Sequence, residues 1–474
     1  MIILFYIIYG LSAFWAIFNI LLYGDRPARS VGWLLIVIIF PVIGVLLYLL
    51  FGVNRKKFKF FTLNFNAKRK LYDLKHKSET IEDFAHRFNS EKFGKLGTML
   101  KRSSGFPAVE GNKIKLLKDG KSTFDDLFET FSKAKKFIHI QYYIIEEGEL
   151  LDRLIKLFSQ KIDEGVEIRV LYDAFGSNKW KNKSIKNLER MGVEIFPILP
   201  LKIGTILSTL NYRNHRKIAI VDGVIGFTGG VNISDKYIKS HSNLGIWEDL
   251  HLKINGPIVD HLHRIFIKDF YFASDKTLLD CHKYLPIQEQ QHTSLAQIVA
   301  GGPDLNYLSI LQQYTAMIHS AEKSVYIENP YFIPNKVLLE ALKMAVLRGI
   351  EVTVIVPQKT DSRMAKYSMY ANFEDLLKTG VKIRILEGRF LHSKLIIIDE
   401  EIASVGSGNF DYRSFEHNYE ANTIIYDQEI AKELSDDFNE NAARCLSLEY
   451  ETFKDRSLKT KLLEGMAKIF SPLL

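Results

Sequence analysis

The sequence predicts an α/β protein made of two duplicated modules with mixed sheets packed pseudo-symmetrically, preceded by an N-terminal transmembrane helical hairpin. Three observations carry this. A motif within residues 212–232 returns within residues 389–409: His215 and His392, Lys217 and Lys394, Asp222 and Asp399, Asn232 and Asn409 all stand 177 positions apart. Around each copy, short apolar runs alternate with stretches of helical period, the strand–helix–strand order of α/β layers. Residues 1–24 and 30–54 contain no charged side chain, and each run is long enough to cross a bilayer as a helix.

The first apolar run lacks a basic start and a small-x-small cleavage site, so it reads as an anchor and not as a secretory signal. Only residues 25–29 join the two runs, which predicts a tight hairpin within residues 1–54, with spans at about 2–24 and 30–53 and a kink at Pro41 and Gly44. Arg55-Lys56-Lys57-Phe58-Lys59 and Lys68-Arg69-Lys70 follow, and the positive-inside rule then assigns the remainder of the chain, and the N-terminus, to the cytoplasm. A re-entrant hairpin would leave that remainder on the same side. The net charge is +8, from 63 basic and 55 acidic residues, which fits either nucleic acid or anionic lipid. The adjacent spans favour an anionic membrane surface, and no nucleic acid is expected. Cys281 and Cys445 are the two cysteines of the chain, so neither a disulfide framework nor a thiolate metal site is expected.

After a basic, partly helical connector over residues 55–105, the first module runs over 106–285 and the second over 286–474, with the seam in the polar stretch 285–296. The first module reads as a helix at 125–134, a strand at 137–144, a helix from 150 towards Gly165 and a strand at 166–171. The second repeats it with a strand at 324–329, a helix at 336–347 stopped by Gly349, and a strand at 350–355. The motif strands are the apolar runs 218–221 and 395–398. Side chains two apart on a strand share a face, so His215 points with Lys217 and His392 with Lys394. Asp222 and Asp399 have the opposite parity, which makes them structural on spacing alone. Gly229-Gly230 and Gly406-Ser407 turn the chain so that Asn232 and Asn409 come in behind the strands.

Facing each other, the two His/Lys pairs can work on phosphorus. A neutral imidazole attacks to form a phosphohistidine, and a protonated one on the other side gives its proton to the leaving alkoxide. Lys217, Lys394, Asn232 and Asn409 bind the non-bridging oxygens. This chemistry needs no metal or cofactor. His261 and His263 sit on a helix where alternate residues diverge, and read as structural.

His-x-Lys, four residues, Asp, six residues and Gly-Gly/Ser-x-Asn, present twice, resembles the doubled signature of the phospholipase D superfamily. The resemblance implies a catalytic set of His215, Lys217, Asp222, His392, Lys394 and Asp399. It also implies a His-orienting acid about thirty positions downstream of each His. That spacing matches Asp249, with Glu248 as a rival, and Glu420. Residues 29–35 and 40–52, Asn329-Pro330-Tyr331-Phe332, Asn409-Phe410-Asp411-Tyr412-Arg413-Ser414 and the ending 470–474 are similar to bacterial cardiolipin synthases, so the likeness spans essentially the whole chain.

Its implication is condensation of two phosphatidylglycerol molecules into cardiolipin and glycerol at a bacterial cell membrane, with His215 taking the phosphatidyl group as His392 protonates glycerol. Exchange of one phosphodiester for another is nearly balanced, in keeping with a chain that has no Gly-rich nucleotide loop. Tyr142, Tyr143, Tyr331 and Phe332 are candidates to limit competing hydrolysis. A membrane-bound hydrolase or another headgroup-exchange enzyme is the near alternative. A nuclease is disfavoured by the anchor, and an inactive scaffold by two intact motifs. Leu458, Leu462, Leu463, Met466, Ile469 and Phe470 recur at helical spacing among Lys459, Lys461 and Lys468, which predicts either an interfacial helix or a stripe packed on the second module.

Overall fold

A computed structural model describes residues 2–24, 27–52, 71, 88, 90–200, 211–240, 244–274, 277–288 and 292–473. The chain divides into two compact units, Met1–Thr62 with Leu199–Tyr212, and Leu63–Ile198 with Arg213–Leu474. In the first unit, helix Ile2–Tyr23 is followed by helices Pro27–Ile39 and Pro41–Leu47 and a π-helical turn, Tyr48–Gly52. The second apolar run was expected as one kinked helix over about 30–53. It is instead a reversal. Pro41 cannot continue the ladder of the preceding helix, and a Cβ on Gly44 would lie 2.3 Å from the Ile36 carbonyl oxygen, so glycine allows the two helices to close on each other. Trp33 meets Tyr48 edge-on at 5.6 Å across the bend. Counted over the described residues, no helix is long and apolar enough to cross a membrane. The basic stretches 55–59 and 68–70 lie outside the described residues.

Sixteen of the described strands of the second unit form one mixed sheet whose main path has the same order read outwards from its middle in either direction, and two more, Trp247–Glu248 and Phe390–Leu391, pair only with each other. The middle is the antiparallel pair Val109–Leu117 and Ser294–Gly301. Beyond the first of these come His251–Asn255, Ile225–Gly229, Ile218–Val221, Phe137–Tyr142, Glu167–Asp173 and Glu194–Ile198. Beyond the second come Asn418–Ile425, Ile402–Gly406, Leu395–Ile398, Ser324–Glu328, Glu351–Pro357 and Lys382–Leu386, with Leu446–Leu448 added at the edge. In each half the inner strands are antiparallel and the three beyond them parallel to one another, with Leu446–Leu448 antiparallel at the edge of the second.

The seam expected at 285–296 therefore does not separate two sheets. Leu295, Ala296, Ile298 and Val299 are all buried, and pairing the strand on both sides removes an apolar edge that would otherwise face water. Each half keeps its own core, Phe124, Ile138, Ile140 and Leu154 among others in the first, and Met317, Val325, Ile327 and Ile396 in the second. Helix Glu91–Ser104, expected within the connector, lays Phe93, Leu96 and Leu100 into the core of the second half. Helix Gly120–Ser132 begins earlier than the apolar pattern suggested because the Asp119 carboxylate caps it, accepting from the Ser122 N–H at 2.6 Å.

Candidate active site

Just ahead of each motif strand lies a two-residue strand that pairs in parallel with the other half of the protein. Arg213–Asn214 runs beside Asn418 and Tyr419, and Phe390–Leu391 beside Trp247 and Glu248. The next residue on each is the motif histidine. His215 donates its backbone N–H to the Tyr419 carbonyl at 2.9 Å, and His392 donates its own to the Glu248 carbonyl at 2.7 Å.

This crossing carries the side chains with it. His215 Nδ1 lies 3.0 Å from Glu420 Oε2 and 3.1 Å from the Ser407 carbonyl. His392 Nδ1 lies 2.5 Å from Asp249 Oδ2. Counted along the sequence, each acid had been expected to serve the His upstream in its own repeat. In the fold, each serves the His of the other repeat, because the short strands pair between halves. With Nδ1–H donated to a carboxylate, Nε2 keeps its lone pair for chemistry. Glu248, the rival to Asp249, is engaged by Arg389.

Both lysines lie beneath the histidines. Lys217 is wholly buried and donates to the His215 carbonyl at 2.7 Å, and Lys394 donates to the His392 carbonyl with Nζ 3.9 Å from Asp249. Burial first, and then the charge of Lys394, lower Lys217 to about 7 against the pull of Glu420, while burial lowers Lys394 to about 8 against the pull of Asp249. His392 is lowered to about 3, by burial first and then by Lys394, against the pull of Asp249. His215 is lowered too, by burial, with Glu420 opposing. Burial alone would raise Asp249 and Glu420, but the neighbouring Lys and His groups outweigh it and hold both below the usual range.

Asn232 accepts from the Ile144 N–H at 3.1 Å and gives one N–H to the Tyr237 hydroxyl at 3.2 Å, which leaves its second N–H for a ligand. Asn409, 5% exposed, lines the cleft, its backbone N–H donated to Ser414 Oγ at 3.0 Å. Asp222 and Asp399 lie at the far ends of the motif strands. Asp222 accepts from the N–H groups of Lys135, Lys136 and Phe137, and Asp399 from those of Glu322, Lys323 and Ser324 and from Lys92 Nζ at 3.0 Å. Each ties its motif strand to the start of the neighbouring strand, and each has a positive φ, 53° and 57°, at the turn it closes.

The cleft is a cavity of about 460 Å³ lined by both histidines and both asparagines, together with Tyr143, Arg213, Trp247, Tyr331, Asp361, Asp411 and Arg413. Tyr143 stands edge-on to His215 at 4.8 Å, and Tyr331 donates its hydroxyl to Asp361 at 2.7 Å. Tyr142 and Phe332, named with them from the sequence, are core residues. Tyr237, whose hydroxyl is 3.3 Å from His392 Nδ1, and Trp247, 5.1 Å from its ring, were not singled out in the sequence. The signal for Tyr237 was its place five residues after Asn232. His263 contacts His139 at 2.9 Å inside the core, and His261 packs on Phe106. Among the described residues, no group of three or more His, Cys, Asp or Glu side chains is arranged to hold a metal ion.

Residues 127–270 and 314–442 match the family profile described as "Cardiolipin synthase, PLD-like domain", and residues 11–52 match "Phospholipase_D-nuclease N-terminal". Over 469 residues the chain is 36% identical to a cardiolipin synthase of a Geobacillus species, covering 99% of this chain and 93% of the relative. It is 36% identical over 463 residues to a cardiolipin synthase of Halalkalibacterium halodurans, covering 96% and 91%. It is 37% identical over 460 residues to a probable cardiolipin synthase of Bacillus subtilis, covering 97% and 91%. Among solved structures, the phosphatidylserine synthase of Haemophilus influenzae superposes with a TM-score of 0.61 at 16% identity, over 81% of this chain and 100% of that one, a likeness of fold.

Proposed function

Because the chain belongs to the cardiolipin synthase family, phosphatidyltransferases of the phospholipase D superfamily, we propose that it joins two phosphatidylglycerol molecules through a phosphohistidine held between His215 and His392. One imidazole Nε2 attacks the phosphorus of the first lipid, the bond from phosphorus to the glycerol oxygen breaks, and the other imidazole gives that oxygen its proton. The same imidazole then takes the proton from the terminal hydroxyl of the second lipid. That oxygen attacks phosphorus, the N–P bond breaks, and cardiolipin leaves. Lys217, Lys394, Asn232 and Asn409 neutralise the charge on the non-bridging oxygens. The lowered values of both histidines fit this course, since they keep the attacking imidazole neutral, and the charge of an entering phosphodiester anion raises the other so that it takes up the working proton from water.

The observation that carries the reading is the crossed pairing, His215 with Glu420 and His392 with Asp249, which fixes two imidazoles in one cleft with their Nε2 atoms available. The catalytic modules sit on the cytoplasmic side of the cell membrane, anchored by the N-terminal apolar helices, and the anionic membrane surface is their partner. Outward-facing Phe14 and Leu21, each 69% exposed, support an apolar surrounding for that unit, as do the basic residues that follow it in sequence. The fold-back at Phe40–Pro41 favours a re-entrant second run over a full span.

The test is product analysis of the detergent-solubilised protein given labelled phosphatidylglycerol. Cardiolipin and free glycerol are expected in equal amounts, with both lost in His215→Ala and in His392→Ala. Phosphatidic acid as the main product would make the protein a hydrolase.

A further inference from the structure

His215 is gripped on both sides by a buried polar network that differs in kind from the one around His392. Ahead of it, Asn214 donates its backbone N–H to Asp173 at 2.8 Å and a side-chain N–H to Asp269 at 2.9 Å, and accepts from Gln141 Nε2 at 2.9 Å. Behind it, the Arg216 guanidinium meets the same Asp269 oxygen at 2.6 Å, and Gln141 donates to that oxygen at 2.6 Å as well. Asp269 lies on helix Ile258–Ala273, so one carboxylate of a packed helix ties down the residues before and after the motif His. Gln141, Asn214, Arg216 and Asp269 are all buried.

The guanidinium then reaches into the other half. Arg216 Nε donates to the Glu420 carbonyl at 3.2 Å and Nη2 to the Gly301 carbonyl at 2.9 Å, and those two residues face each other on neighbouring strands. Glu420 is the acid that orients His215. Arg216 thus grips the backbone of the acid, while its own chain carries the His one residue ahead. Imidazole and carboxylate hang from one unit although they come from different halves. The planar fork of a guanidinium serves three acceptors in a fixed geometry, which an ammonium on a flexible stem does not reproduce.

In the second repeat Leu391 and Ser393 stand at the places of Asn214 and Arg216, each 177 positions on. Ser393 donates to Glu328 at 2.6 Å, and Asn441 donates to the other oxygen of that carboxylate at 3.1 Å. Acid and amide have exchanged places. Gln141 and Glu328 each face the first residue of a motif strand, whereas Asp269 and Asn441 come from the helices Ile258–Ala273 and Gln428–Ala443. With a short hydroxyl in place of the guanidinium, these three residues bond within their own half, and they line a cavity of about 150 Å³.

We propose that Arg216 and Asp269 are positioning residues for the transfer, a charged brace that keeps His215 Nδ1 on Glu420 and so presents Nε2 to phosphorus at a fixed place. The inference rests on the transfer reaction proposed above. Neither residue lines the cleft, so their loss falls on turnover and not on lipid binding.

The experiment measures cardiolipin formation by full-length protein in detergent micelles over a range of phosphatidylglycerol concentrations, together with the thermal midpoint. Arg216→Lys keeps the charge pair with Asp269 and gives up the fork to the Glu420 and Gly301 carbonyls. It is expected to keep the midpoint of the parent, to lower kcat about tenfold and to leave the half-saturating lipid concentration within about twofold. Arg216→Met with Asp269→Asn removes both charges together, which spares the cost of one buried charge left alone, and keeps an oxygen for Gln141 and Asn214. It is expected to lower kcat about a hundredfold with the same split. Unchanged kcat in either variant, or a loss carried by the half-saturating concentration, would overturn the positioning role. So would midpoints that fall in step with kcat in both variants, since the pair would then support the fold alone. Failure of the underlying transfer reading would show in the unmodified protein, as lipid turnover without cardiolipin.

Discussion

Lys217 is wholly buried and Lys394 is 2% exposed, and each ammonium group donates to the carbonyl of the motif His two residues ahead of it. Such an arrangement favours a bound phosphate and disfavours the folded state. On folding, the Lys217 ammonium falls from 10.5 to about 7, chiefly through burial. Between those values the unfolded chain holds a proton that the folded one has released, so stability rises with pH through this window, and the full penalty is present below about 7. Lys217→Met is therefore expected to stabilise the protein by about 1–4 kcal/mol at mildly acid pH, with the gain shrinking towards pH 10, while cardiolipin synthesis is lost. Thermal midpoints in detergent across that range check it, and a lower midpoint for the variant at acid pH would mean the ammonium is satisfied where it lies. The constant offset of 177 made the histidines, lysines and asparagines legible in the sequence. Which acid serves which His was not, since counting along the chain keeps a pair within one repeat and the strand pairing crosses it.

The C-terminal helix Leu458–Phe470 reverses the usual relation between an amphipathic helix and the body it rests on. Leu458 is 84% exposed, Leu462 64%, Met466 53% and Ile469 75%, while Glu464 and Ala467 are buried. What docks the helix is polar: Ser368 Oγ donates to the Ala467 carbonyl at 2.8 Å, and Arg456 binds both Glu464 at 2.8 Å and Glu374 at 2.5 Å. Of the two readings open in the sequence, a stripe packed on the second module fails, because the stripe faces away from it. The helix it rests on, Arg363–Tyr370, begins with Ser362 and Ala365 in the lining of the catalytic cleft, so the stripe and the cleft share a support. A bilayer surface suits an apolar face flanked by lysines. Leu462→Glu with Ile469→Glu should lower cardiolipin formation about tenfold in phosphatidylglycerol vesicles and leave it unchanged in mixed micelles, with a thermal midpoint close to that of the parent because both side chains are exposed. Equal activity loss in vesicles and micelles, or a lower midpoint, would return the stripe to a packing role. Elsewhere, element bounds were readable where the apolar period was unbroken, as in Ile218–Val221, Leu395–Ile398 and Lys336–Leu347. The second apolar run misled because hydropathy measures length and takes no account of what Pro41 and Gly44 allow.

At the scale of the molecule, duplication was legible and the fusion of the two sheets was not, since the strand that joins them, Ser294–Gly301, begins inside a stretch whose polarity suggests a linker. That strand pairs with Asn418–Ile425 over Ala296 to Gly301 and with Val109–Leu117 on its other side, so neither half closes its sheet alone. The catalytic groups follow the same rule: the first half contributes His215 and Asp249, the second His392 and Glu420, and each imidazole lacks its carboxylate until the halves meet. Cutting the chain between residues 289 and 290 separates these contributions without interrupting any described strand or helix. Fragments 1–289 and 290–474 produced singly should form no cardiolipin. Produced together they should recover synthesis, and the purified pair should unfold in one transition, because the continuous sheet leaves no interface at which one half can melt while the other persists. Activity in a single fragment, or two separate transitions, would show that a half can supply its own acid to its own His, and the crossed pairing would then be a convenience of the fold and not a condition of the chemistry.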